Sequence, residues 1–192
     1  MQSRSAKRRD RIPMRHHCHW PSIDYPAIRN HRRKGNGMRW ITLMFWLLVC
    51  FAVAGISASW TGSEVRSWYS TLARPSIAPP NWVFGPVWTL LYLLMAIAAW
   101  KASLAAFSPW KSTAITLFVI QLALNFAWSL IFFCWHQIGW ALVEVIVLWT
   151  SILFTTLAFA RVSMTAAWLM TPYLAWVSFA SVLNEEYWRL NR

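Results

Sequence analysis

Gln121, Asn125 and Trp128 recur at i, i+4 and i+7 within an otherwise apolar stretch, so a helix would bring two amides and an indole to one face. Amides among hydrocarbon side chains are costly unless partnered. They serve either hydrogen bonds between helices or a polar contact with a ligand, and periodicity weighs the two evenly. The same spacing groups Trp176, Ala180, Leu183, Asn184 and Tyr187, with small Ala180 leaving room beside an indole, and groups Trp88, Tyr92, Met95 and Ala99. Three such faces would enclose a slot for a planar ring system, stacked by indoles and oriented by one or two amides. Covalent chemistry has no visible machinery. The chain shows no nucleophile with a base and an orienting group, no glycine loop for phosphate and no His/Glu cluster of the metalloprotease kind. His16, His17, Cys18 and His19 are metal-ligand types without the spacing to wrap an ion, so no metal site is expected.

The remaining polar features are few. Glu144 is the one acid well inside an apolar run. Such a carboxyl is either a proton-coupling group or a side chain close enough to a helix end to reach interfacial water. Cys50 and Cys134 lie inside apolar runs and Cys18 precedes them, so they form no disulfide framework. The segment 61–81 is a 21-residue connection in a chain whose other connections are short. It carries Trp68, Tyr69, Pro75, Pro79 and Pro80, with Trp82 just beyond, and flat side chains on a proline-stiffened backbone suit a lid over a pocket. Anchoring at the lipid headgroups is the alternative for any single aromatic there.

These residues are positioned by five apolar runs, at about 40–60, 82–107, 112–134, 138–160 and 163–187. Each spans about 30 Å of hydrocarbon at about 1.5 Å per residue. The runs are continuously apolar, which predicts helices rather than alternating barrel strands, and therefore an all-α bundle of five transmembrane helices. Connections at 135–137 and 161–162 force the third, fourth and fifth helices to be antiparallel neighbours. Hydrophobic residues make up 58% of the chain and charged ones 12%, with mean hydropathy +0.39, so the solvent is lipid. Of sixteen tryptophans, Trp40, Trp60, Trp110 and Trp188 fall at span ends as belt residues, whereas Trp88, Trp128 and Trp176 fall within spans, where an indole N–H needs a protein or ligand acceptor. Small residues at Gly55 and Ser59, and at Ala123 and Ala127, permit close helix packing or a homodimer.

The net charge of +12 is a property of the tail. Residues 1–37 hold ten Lys/Arg against Asp10 and Asp24, or +8, and the other 155 residues carry only +4. A basic tail beside a span signals topology and contact with anionic lipid, and no stacking platform or groove-reading motif accompanies it, so nucleic acid is not expected as a partner. The tail shows no apolar periodicity and is expected to lack structure in isolation; an equally weighted reading starts translation at Met38, just before the first run. Outside the tail, Lys/Arg near the span ends divide four against four, so a cytoplasmic N-terminus rests on the tail or on Arg39.

The stretches WYSTLARPSIAPPNWVFGPVWTLLY (68–92), QLALNFAWSLIFF (121–133), QIGWALVE (137–144) and PYLAWVSFASVLN (172–184) resemble the TspO/MBR family of tryptophan-rich sensory and translocator proteins, also called the peripheral-type benzodiazepine receptor. The resemblance runs in order over about residues 40–190. It implies a five-helix bundle, often dimeric, that binds porphyrins, haem precursors and synthetic isoquinoline or benzodiazepine ligands under the first loop. It carries ligand contacts to Trp88, Gln121, Asn125, Trp128, Trp140, Trp176 and Ala180, with Trp68, Tyr69 and Pro80 in the lid. Ile77 stands where many members have a tryptophan, removing one ring from the loop. Leu183, Tyr187 and Arg189 could meet a sterol-recognition pattern, with Glu185 where animal members place the tyrosine.

The resulting expectation is a multi-pass membrane receptor or carrier for tetrapyrroles, porphyrin or haem being ligand rather than required cofactor, with a stress- or oxygen-linked regulatory role. The bacterial inner membrane is the default for helical spans, and family precedent includes outer membranes. The alternatives are light-dependent porphyrin degradation through Trp88 and Trp176, which some relatives are reported to perform, and a structural membrane module whose tryptophans merely pack.

Overall fold

The structure, a computed structural model, describes residues 26–192, with side chains from residue 37 onward. The His16, His17, Cys18, His19 segment and most of the basic tail lie outside the described residues. In chain order come α1 (Pro26–Arg66), a single 3₁₀ turn (Tyr69–Thr71), α2 (Asn81–Leu104), α3 (Lys111–Ser129) continued by a π turn (Leu130–Cys134), α4 (Ile138–Ala160) and α5 (Met164–Leu190). Among the described residues five helices are long and apolar enough to cross a membrane, as the apolar runs predict. α1 reaches back to Pro26, into the last third of the basic tail, with proline in the first turn where a missing N–H costs nothing.

Lipid is as apolar as leucine, so helix association here depends on close packing and internal hydrogen bonds rather than on escape from water. α2 meets this with small residues: Ala96, Ala98, Ala99 and Ala102 are fully buried. α2 packs against α1 and α5, and α4 along α3 and α5. Between them Phe118 stacks on Phe159 with centroids 5.8 Å apart and meets Trp46 edge-on at 5.3 Å, contacts worth about 0.5–1.5 kcal/mol each beyond area burial. Trp46 also donates its indole N–H to Ser103 at 2.9 Å.

Two local devices shape the cavity end of the bundle. Pro172 sits inside α5 and cannot donate to the Trp168 carbonyl one turn earlier; the Thr171 hydroxyl donates to that oxygen instead, at 2.7 Å, so the helix continues through the proline. The π turn closes with the Trp135 N–H donating to the Leu130 carbonyl at 3.0 Å. It ends α3 with consecutive aromatics, Phe132 and Phe133, both packed inward. His136 then takes φ 56°, a left-handed conformation uncommon outside glycine, asparagine and aspartate, which lets α4 start after only three residues.

Candidate functional site

Two adjoining cavities open at one end of the bundle. The larger, about 420 Å³, lies between α1, α2 and α3 and falls within the usual range of about 300–1,000 Å³ for small-molecule sites. The smaller, about 140 Å³, lies under the first loop against α5. Thr61, Phe84, Trp88, Trp128 and Phe133 line both, so the two are lobes of one site with indoles in the shared wall.

The lobes differ in polarity. At the base of the larger one the Tyr92 hydroxyl donates to Asn125 Oδ1 at 2.5 Å, and Asn125 Nδ2 donates to the Tyr173 hydroxyl at 3.0 Å, joining α2, α3 and α5 mid-bundle. The smaller lobe is walled by Trp176, Ala180, Leu183 and Tyr187, the α5 face grouped by periodicity. Its amide, Asn184, accepts from the Trp128 indole at 3.1 Å and donates to the Ile138 carbonyl at 3.0 Å, which fixes the Trp128 ring. Trp88 and Trp176 differ from Trp128: among the described residues neither indole N–H meets an acceptor, and both rings line the site. The tryptophans of the core away from the cavities are satisfied, Trp46 by Ser103, Trp100 by the Arg39 carbonyl and Trp149 by Ser178.

The loop from 67 to 80 covers the smaller lobe and is fastened at three points. The Tyr69 and Tyr187 hydroxyls are 2.6 Å apart. The Asn191 side chain grips Ala73 on both sides, accepting from its N–H at 2.8 Å and donating to its carbonyl at 3.1 Å. Trp68 stacks on His136, with ring centroids 4.1 Å apart and planes 20° from parallel, and packs edge-on against Phe132.

The residues singled out from sequence are divided by the structure. Tyr69, Trp88, Asn125, Trp128, Trp176 and Ala180 line the site. Trp68 and Pro80 lie in the loop without lining either lobe, Pro80 preceding the first residue of α2. Gln121 is fully buried, its Nε2 4.0 Å from Met95 Sδ and its Oε1 unpartnered, and it does not reach the cavity. Trp140 does not join the site: it is 68% exposed, because Ile138 and Ala141 are the residues α4 turns inward there. Ile77 is exposed and also outside the lining. Leu183 and Tyr187 point into the site rather than outward, whereas Arg189 is exposed and paired with Glu186 at 3.2 Å. Both Glu144 carboxyl oxygens are sealed and unpartnered. Phe132, Phe133, His136, Tyr173 and Asn191 were not foreseen; the run of aromatics at 132–133 was the one available signal. No group of metal-ligating residues occurs among the described residues.

Five membrane-length helices, among the described residues, around an aromatic cavity under a loop are the architecture of a multi-pass integral membrane protein. The profile of the TspO/MBR family matches residues 46–189, and the chain belongs to that family. It is 41% identical over 155 residues to the tryptophan-rich protein TspO of Chlorobaculum tepidum, covering 79% of this chain and 96% of that one. It is similar to the human translocator protein, 39% identical over 155 residues (79% and 91% covered), and to protein CrtK of Rhodobacter capsulatus, 34% identical over 148 residues (76% and 92% covered). Membership supports a membrane receptor or transporter role.

Proposed function

We propose that the chain is a membrane receptor or carrier for tetrapyrroles, holding porphyrin or a haem precursor in the two-lobed cavity and acting in stress- or oxygen-linked regulation. The observation that carries this reading is the pairing of unsatisfied indoles with a flat wall: Trp88 and Trp176 offer N–H donors without a protein acceptor among the described residues, while Trp128 and Phe132, stacked on each other at 5.1 Å, line the smaller lobe. A macrocycle has the flat faces such walls stack on and peripheral acceptors for the free donors. Lipid is the surrounding partner, and a bacterial inner membrane is the proposed location. A sterol-like ligand on Leu183, Tyr187 and Arg189 is less well supported, since Tyr187 is 2% exposed and engaged with Tyr69.

The test is tryptophan fluorescence of protein in nanodiscs titrated with protoporphyrin IX. Saturable quenching that weakens in Trp88→Phe and Trp176→Phe supports the reading; unsaturable quenching, or quenching untouched by both changes, removes it. A light-dependent degradation of the bound porphyrin is the second reading, favoured because both tryptophans implicated in it line one lobe. Loss of porphyrin absorbance under illumination that requires both residues supports it, and a stable spectrum dismisses it.

A further inference from the structure

Between α3 and α4, His136 adds a polar contact to the aromatic ones that Phe132 and Phe133 make with the loop. His136 Nε2 lies 3.0 Å from Glu64 Oε2 at the end of α1, and the same imidazole lies flat on Trp68. The backbone at His136 is left-handed, φ 56°, and its ring reaches Glu64 on α1. Trp68 in turn sets the loop. Its carbonyl accepts from the Thr71 N–H at 3.0 Å and the Thr71 hydroxyl at 2.6 Å, closing the 3₁₀ turn that carries Tyr69 into the cavity wall and onto Tyr187. A contact at the turn is thus linked, through three residues, to a side chain lining the candidate site.

Histidine is the side chain whose charge changes near neutral pH. With only Nε2 protonated, the neutral imidazole donates to the Glu64 carboxylate and stacks as a neutral ring. A second proton on Nδ1 charges the donor as well as the acceptor, making the same contact an ion pair and the same stack a cation–π contact, so both tighten together. The titratable and charged groups nearest it are Glu64 and, two residues on, Arg66 of α1, Cys134 two residues before it in its own turn, Tyr69 of the loop, which meets Phe132 and Phe133, and Tyr187 of α5, which meets Phe132. Glu64 is the one of these within hydrogen-bond distance of the imidazole. Ser67 Oγ shares its Oε2 at 3.3 Å.

We propose that His136 is a positioning residue for the loop: protonated, it clamps Trp68 and Glu64 and holds the loop over the cavity; deprotonated, it releases part of that hold, so that acid pH slows exchange of whatever the cavity binds. The consequence for ligand exchange rests on the tetrapyrrole reading, but the clamp itself does not.

Hydrogen–deuterium exchange of the ligand-free protein in nanodiscs reads the clamp directly. The reporters are the loop amides bonded in the structure, those of Thr71, Leu72, Ala73 and Ala78. After correction for the intrinsic pH dependence of exchange, their protection is expected to rise about three- to tenfold between about pH 8 and about pH 5.5. His136→Gln, uncharged throughout, is expected to hold the low level at every pH, and His136→Arg, charged throughout, the high level. Glu64→Gln leaves the turn untouched and is expected to reduce the pH response, which keeps the test decisive if a His136 variant misfolds. A wild-type response retained in His136→Gln or in Glu64→Gln overturns the proposal. Protoporphyrin IX dissociation measured across the same pH range separates the two claims. Loop protection that follows the His136 charge without porphyrin binding keeps the clamp and removes the ligand reading; porphyrin binding with no charge dependence of protection does the reverse.

Discussion

Replacing Asn125 by leucine, which has the same branching and number of side-chain heavy atoms, removes the polar centre of the Tyr92, Asn125, Tyr173 chain. Two hydrogen bonds are lost, at 2.5 Å and 3.0 Å. The hydroxyls left behind are not equivalent. Tyr173 is fully buried, so its oxygen has no route to water, whereas Tyr92 lines the larger lobe and is 4% exposed. A hydrogen bond between membrane helices averages about 0.6 kcal/mol, and a sealed polar group left unpaired costs about 1–3 kcal/mol. One fully sealed and one partly sealed hydroxyl give a destabilisation of about 2–4 kcal/mol for Asn125→Leu. Removing all three polar groups together, as Tyr92→Phe, Asn125→Leu and Tyr173→Phe, leaves nothing unpaired and should recover most of that loss. Reversible unfolding in bicelles measures both. A single-variant cost below about 0.5 kcal/mol, or a triple variant less stable than the single one, would refute the idea that the chain is held by mutual satisfaction.

Other consequences follow from particular contacts. Asn191→Ala deletes the grip on Ala73 together with the bond from Nδ2 to the Tyr187 carbonyl at 2.8 Å, and should speed proteolysis within residues 67–80 several-fold while changing global stability by about 1 kcal/mol or less, since the site is exposed. Thr171→Val orphans the Trp168 carbonyl beside Pro172 and should cost about 1–2 kcal/mol in the same bicelle assay, whereas Thr171→Ser should cost little. Trp140→Phe, on the outward face of α4, should leave the affinity for protoporphyrin IX in a quenching titration within about twofold of wild type; a tenfold loss would return Trp140 to the site.

The five spans and the grouping of Trp88 with Tyr92, of Asn125 with Trp128 and of Trp176 with Ala180 were legible because polar and aromatic residues interrupt uniform hydrocarbon at helical spacing. The inward face of α4 was not. Leucine, valine and tryptophan are equally at home against lipid and against protein, so an unbroken apolar helix carries no signal of which side faces the bundle, and Trp140 was assigned inward by family resemblance. The two amides of α3 show the same limit. Spacing put Gln121 and Asn125 on one face, but only packing decides that Asn125 reaches the cavity edge and Gln121 is sealed one turn deeper. The fastenings of the loop were hidden for another reason. His136 occupies a left-handed position without the glycine or asparagine that usually announces one, and Asn191 meets Ala73 across 118 residues of sequence.

On the proposed tetrapyrrole reading, Trp88 and Trp176 present free indole donors to a flat ligand. In protein labelled with ¹⁵N-tryptophan, each of the sixteen indole N–H groups gives its own NMR signal, and titration with protoporphyrin IX reads them separately. The Trp88 and Trp176 indole signals are expected to move most and saturate together, while those of Trp46, Trp100 and Trp149, bonded away from the cavities, stay in place. Shifts confined to the exposed Trp40, Trp60 and Trp110, with Trp88 and Trp176 unmoved, would overturn the tetrapyrrole reading.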